Sequence, residues 1–173
     1  MRNRKGGFTL IELMVTLLII GLTFGLAIPG FQGMMARNRI TTETNNLVAA
    51  LQLARSEAST RGGTVSIQAI NGSTANDDFG SGFCVIADNP GNCTGAIRTF
   101  ANIAAGTRID SSENVTSIQF DSMGALANTG SATRALDICV DGYPGRRVLI
   151  NLIGRGKIHR ARTPANATTD PSC

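Results

Sequence analysis

Six cations crowd the last part of this 173-residue chain: Arg146, Arg147, Arg155, Lys157, Arg160 and Arg162 fall within 17 positions, with His159 among them. No Asp or Glu occurs between Gly142 and Thr169, so nothing nearby in sequence neutralises them. Guanidinium and ammonium groups at that density suit phosphate. On an extended strand alternate residues share a face roughly 6–7 Å apart. Arg155, Lys157 and His159 would then line up at a spacing comparable to that of neighbouring phosphates on one nucleic-acid strand. Contacts of this kind read backbone charge and not base sequence, and they weaken steeply with salt. Gly154 and Gly156 would leave the backbone open to a phosphate. The competing reading is a solvated basic edge that discourages sheet-to-sheet pairing, or one that pairs with acidic residues elsewhere.

Other chemistry is sparse. His159 is the single histidine and has no evident Ser, Asp or Cys partner. Asp77-Asp78 sits in a Gly/Ser/Asn-rich stretch that reads as a solvated loop. We therefore expect no catalytic residues and no cofactor. Aromatic residues make up 5% of the chain and Trp is absent, which disfavours a base-stacking platform or an aromatic ligand pocket. The four cysteines are Cys84, Cys93, Cys139 and Cys173, with no CxxC pair, so a metal site is not expected. An even count behind an export-type N-terminus reads as two disulfides in an oxidising compartment. Three connectivities are possible. The Asp-Asn-Pro-Gly turn between Cys84 and Cys93 favours that pair, and Cys139 with Cys173 would then tether the tail.

At the other end stands one costly carboxylate. From Phe8 to Ile28 the chain is apolar apart from Thr9, Glu12, Thr16 and Thr23, and Leu13–Ala36 carries no charge. As a helix, 8–28 would span roughly 31 Å, enough for a bilayer core. The apolar run leads into Ile28-Pro29-Gly30 and not into a small-residue cleavage site, so an ordinary signal peptide does not fit. A carboxylate inside such a run points to a partner or a function.

The elements that must position these residues follow from periodicity. Leu47, Leu51, Ala54 and Ala58 make one apolar stripe, and Arg61-Gly62-Gly63 is a helix stop, so one helix should run from Phe8 to about Arg61. Beyond it the period falls to two. Strands are expected at Thr64–Ile70, Gly82–Ala87, Ala96–Phe100, Ser117–Phe120, Leu136–Val140, Arg147–Ile153 and Gly156–His159, with loops at 71–82, 88–95, 110–114, 121–134 and 141–145. A helix followed only by strands implies an α+β fold, with antiparallel sheets packed on the stripe. Formal charge divides as +4 over 1–62, −5 over 63–141 and +5 over 142–173.

The segment Lys5-Gly6-Gly7-Phe8-Thr9-Leu10-Ile11-Glu12-Leu13 closely resembles the class III signal of type IV prepilins, and Gly21 and Pro29 also match that family. The resemblance implies a leader, 1–7, cut after Gly7 by a prepilin peptidase that also methylates Phe8. It implies a helix over 8–62, with 8–28 as membrane span and later filament core, and a β-rich domain over 63–173. It assigns Glu12 to assembly, pairing with the terminal amine of a neighbouring pilin subunit. Loss of Arg2, Arg4 and Lys5 would leave the basic C-terminal region as the main positive surface. The expected location is the inner membrane, then a periplasmic or extracellular pilus of a Gram-negative-type bacterium.

A narrower resemblance joins the two ends. Asn46–Ala58, Arg61-Gly62 and Val65-Ser66-Ile67, together with Arg147-Val-Leu-Ile-Asn-Leu-Ile-Gly-Arg-Gly-Lys157, are similar to the FimT/GspH family of minor pilins and pseudopilins. Lys157 stands where the FimT-type pattern carries arginine, which keeps the charge but loses the bidentate fork. This resemblance implies non-specific binding of double-stranded DNA through Arg146, Arg147, Arg155, Lys157, Arg160 and Arg162, in support of DNA uptake during natural transformation. The alternatives are a pseudopilin of type II secretion and a minor pilin that only primes assembly.

Overall fold

The computed structural model describes residues 7–72, 79–88, 91–113, 115–127 and 133–160. The chain divides into two compact units, Met1–Ala36 and Arg37–Cys173. Helix α1, Leu10–Arg61, contributes to both.

In the first unit the helix starts cleanly. Thr9 stands just ahead of it, and its Oγ1 accepts the Glu12 N–H at 3.3 Å. A hydroxyl at this position supplies one of the acceptors that the opening turn lacks, and Glu12 sits where the helix dipole favours a negative charge. The hydroxyls inside the apolar run are satisfied locally: Thr16 donates to the Leu13 carbonyl at 2.8 Å and Thr23 to that of Ile19 at 2.7 Å. Neither hydroxyl needs water, as a lipid-embedded helix requires. Leu10, Ile11, Leu13, Leu17, Leu18 and Phe24 are all exposed, and the helix is long and apolar enough to cross a membrane. Covering such a surface is favourable by about 1.5–3 kcal/mol per large side chain, so it calls for a bilayer or neighbouring helices.

The second unit carries eight strands after the helix: β1 Val65–Ala69, β2 Gly82–Ala87, β3 Arg98–Ala101, β4 Thr107–Ser111, β5 Ser117–Phe120, β6 Thr133–Val140, β7 Tyr143–Asn151 and β8 Gly156–Arg160. They form two four-stranded sheets ordered β3-β2-β1-β5 and β4-β6-β7-β8, and every pairing is antiparallel. The expected stripe of Leu47, Leu51, Ala54 and Ala58 is buried, with Ile40 and Ala50 beside it. Val65, Ile67, Val85, Ile118 and Phe120 of one sheet, and Ile109, Leu136, Ile138, Val148 and Ile150 of the other, complete the core. The α+β architecture is as the periodicity predicts.

Three details differ from the expectation. Strand β4 occupies part of the stretch read as a turn at 110–114. Its Thr-Arg-Ile-Asp-Ser sequence has only Ile109 as a large apolar residue, and its register against β6 supplies the order that hydrophobicity does not. Strand β6 starts at Thr133, inside a stretch read as loop, and β7 starts at Tyr143, so only Asp141 and Gly142 connect them. Gly142, at φ 79°, permits the tight turn.

Of the expected disulfides, Cys84–Cys93 is formed and links β2 to the loop before β3. Cys139 is also disulfide-bonded, and its expected partner Cys173 lies outside the described residues.

Candidate functional site

The cationic segment of the sequence is a β-hairpin. Strands β7 and β8 pair with Arg146 opposite Arg160, Arg147 opposite His159, Val148 opposite Ile158 and Leu149 opposite Lys157. At its tip, the Asn151 side-chain oxygen accepts the Arg155 N–H at 2.8 Å, while the Asn151 N–H donates to the Arg155 carbonyl at 3.0 Å. Gly154 is buried here at φ 72°, and a Cβ on it would stand 2.1 Å from the Gly124 carbonyl oxygen. Close packing against the 121–127 loop, not access for a phosphate, therefore demands glycine at 154. Gly156 is exposed, and a Cβ there would touch Leu51 and Val148 at an ordinary 3.7 Å.

Strand alternation sorts the cations. Val148 and Ile150 point into the core, so Arg146, two residues from Val148, and its register partner Arg160, two residues from Ile158, lie on the helix side of the sheet. Lys157, His159 and Arg147 lie on the opposite side. Arg155 precedes β8 in the turn and stands near Val48, Gln52 and Arg55 of the helix. Arg155 and Lys157 thus flank the edge strand from two directions and do not share the single face expected for an extended 155–159 segment.

Arg147 does not belong to the exposed set. It is buried, and its Nε and one terminal nitrogen donate to the two carboxylate oxygens of Asp137 on β6, each at 2.7 Å. Such a fork fixes the guanidinium within the sheet and leaves it no reach toward a surface phosphate. Arg162 lies outside the described residues.

Two helix residues that the sequence reading passed over complete the site. Arg37 and Arg55 are 18 residues apart, five turns at 3.6 residues each, so they share one helix face. Arg37 lines a cavity of about 240 Å³ with Ile40, Pro144, Gly145, Arg146 and Arg160. Arg55 lines another of about 230 Å³ at the far end of β8, with Arg155, Gly154 and Gly156. The helical spacing was readable in the sequence. What was missing was the knowledge that β8 runs beside that face.

Engagement separates this group from the other cations. Arg61 pairs with Glu57, Arg108 with Asp141, Arg134 with Glu113 and Arg147 with Asp137. Arg39 donates to the Ala105 carbonyl, and the Arg98 guanidinium lies 4.9 Å from the centre of the Phe100 ring. Among the described residues, the charged side-chain groups of Arg37, Arg55, Arg146, Arg155, Lys157 and Arg160 have no carboxylate or hydrogen-bond partner. Partial burial, and then the charge of Arg160, hold the Arg146 guanidinium below its ordinary pKa, although an arginine stays cationic at neutral pH. The result is a band of uncompensated charge along the β8 edge, roughly 27 Å from Arg37 to Arg55 along the helix.

Comparison with known proteins agrees with this architecture. The family model described as type II transport protein GspH matches residues 43–154, and that of the prokaryotic N-terminal methylation motif matches residues 2–28. The fold is similar to a crystal structure of the type IV minor pilin FimU of Pseudomonas aeruginosa, with a TM-score of 0.63 and 26% identity over 79% of this chain and 95% of that one. A second crystal form of FimU gives 0.59 at 24% identity, over 76% and 97% of the two chains, a likeness of fold. The type IV major fimbrial protein FimA of Dichelobacter nodosus is 40% identical over 55 residues, 30% of this chain and 35% of that protein. The chain thus spans about a third of the length of the curated relatives it matches. With the methylation motif leading into α1 and the GspH match covering more than half of the sequence, the chain belongs to the GspH family and is a type IV pilin-like subunit, a minor pilin or pseudopilin.

Proposed function

We propose that this subunit is a minor pilin that holds double-stranded DNA along its β8 edge during uptake. It is a structural subunit and not an enzyme. A prepilin peptidase cuts it after Gly7 and methylates Phe8, and Glu12 then meets the terminal amine of a neighbouring subunit in the filament. The observation that carries the DNA reading is the sorting of cations. Among the described residues, six of them gather without carboxylate partners around one edge strand, while the arginines elsewhere are engaged. A band of roughly 27 Å is about eight base pairs long, so several phosphates can be met together. Exposed Arg155, Lys157 and Arg160 make those contacts, with Arg37 and Arg55 from the helix and half-buried Arg146 behind them.

Binding of this type is independent of base sequence and falls as salt displaces the protein from the phosphates. A mobility-shift titration with the domain lacking residues 1–35 tests it. Four to five phosphate contacts predict a slope of roughly −4 in log affinity against log salt. An Arg155→Ala/Lys157→Ala variant should bind much more weakly. No shift by the wild-type domain at low salt would rule the reading out and favour a pseudopilin of type II secretion, to which the description of the matching family points.

A further inference from the structure

The cavity between Arg37, Arg146 and Arg160 differs from the rest of the basic band. It is concave, and its remaining lining is Ile40, Pro144 and Gly145, with no acidic side chain. Three guanidiniums converge on it, and none has a hydrogen-bond or ion-pair partner among the described residues. Like charges brought together this way repel; partial burial first, and then the charge of Arg160, hold the Arg146 guanidinium below its ordinary pKa. An anion in the cavity would relieve it. Planar guanidinium forks match the oxygens of a phosphate, and the apolar wall of Ile40 and Pro144 would receive the carbon skeleton attached to one.

A second observation concerns what brings a phosphate there. Arg37 is the first charged residue after Glu12, so it directly ends the uncharged run Leu13–Ala36. Those 24 residues are helical and would cover roughly 36 Å, slightly more than the roughly 30 Å hydrocarbon core of a bilayer. With that run in the membrane, the Arg37 backbone emerges into the headgroup layer, where phosphate is concentrated.

We propose that the Arg37–Arg146–Arg160 cavity binds the phosphate of an anionic phospholipid headgroup while the subunit is still held in the membrane. The inference rests on the membrane-held stage of the pilin and is independent of DNA binding. It has a consequence for that function all the same. Lipid would occupy one end of the basic edge until the subunit is drawn into a filament, so the whole band is freed only by assembly.

Native mass spectrometry of the full chain, released from membranes of equal parts phosphatidylglycerol and phosphatidylcholine, tests this. Wild type should retain phosphatidylglycerol at least tenfold over phosphatidylcholine, because three arginines act on one anionic headgroup. The exposed pair Arg37→Gln/Arg160→Gln should reduce that preference to near unity, while Arg55→Gln/Lys157→Gln should retain it. Equal retention of the two lipids by wild type would overturn the proposal. So would a preference that survives Arg37→Gln/Arg160→Gln, or one lost equally in both variants, which would mark diffuse attraction. Inorganic phosphate supplies the competing source: if it displaces phosphatidylglycerol at equal concentration, the cavity is a free-anion site. If Arg37→Gln/Arg160→Gln loses duplex DNA but keeps its lipid preference, the cavity belongs to the nucleic-acid band alone.

Discussion

Asp137 and Arg147 face each other across β6 and β7 and share two hydrogen bonds of 2.7 Å, both side chains almost wholly removed from solvent. The pair takes an arginine from the most basic stretch of the sequence and makes it part of the sheet. Removing one partner leaves a buried charge uncompensated, at a cost of about 3–5 kcal/mol. Asp137→Ala should therefore lower the urea midpoint sharply with an unchanged slope. The double replacement Asp137→Leu/Arg147→Met should recover most of the loss. DNA affinity of the folded double variant should match wild type, and a fall there would return Arg147 to the interface.

Charge deletions should separate band from body. Arg55→Ala should weaken duplex binding and reduce the salt slope by about one, the signature of one lost phosphate contact. Arg98→Ala removes an equal charge from the other sheet, where it lies over Phe100, and should leave both quantities unchanged. Fluorescence anisotropy with a labelled duplex at several salt concentrations reads both. Equal effects would mean that net charge alone drives binding.

Gly154 and Gly156 flank Arg155 and should behave in opposite ways. A methyl group at 154 meets the Gly124 carbonyl and a positive φ together, so Gly154→Ala should cost at least 2 kcal/mol. Gly156→Ala meets only ordinary contacts and should change stability by less than about 0.5 kcal/mol. Thermal unfolding of the two variants makes the comparison directly.

The Cys84–Cys93 bridge closes a short loop, with a sequence separation of 9. Loop-closure entropy for that length corresponds to roughly 2–3 kcal/mol. The Cys84→Ser/Cys93→Ser variant should be destabilised by that amount in chemical denaturation. It should bind DNA as wild type does, because β2 and β3 lie in the sheet that does not contain β8.

Much of this molecule is legible from residue order alone, and the reasons are local. The buried stripe of Leu47, Leu51, Ala54 and Ala58 announces a helix, since a period of 3.6 needs no partner to be seen. Period-two runs such as Val65–Ala69 announce strands for the same reason. Strand β4 escaped because its residues are mostly polar and its order comes from register against β6. The site was harder to read. A run of basic residues shows that charge is plentiful, but not which guanidinium a carboxylate ten positions earlier will claim, as Asp137 claims Arg147. Nor does it show that Arg37 and Arg55, more than ninety positions upstream of β8, will stand at its two ends.

Strand β8 is hydrogen-bonded on one side only, so a DNA strand held along it as proposed would pull on a sheet edge. A strand in that position fails easily when it is unzipped from one end, and resists better when all its bonds are sheared together. The end of β8 nearest the hairpin tip is closed by the fit of Gly154 against Gly124, and by the Leu126 N–H donating to the Leu152 carbonyl at 2.9 Å. Through Leu126, which bridges to Phe120, that joint hands the load to the second sheet. A glycine with no part in the proposed DNA contact thereby becomes the mechanical anchor of the strand that would make it.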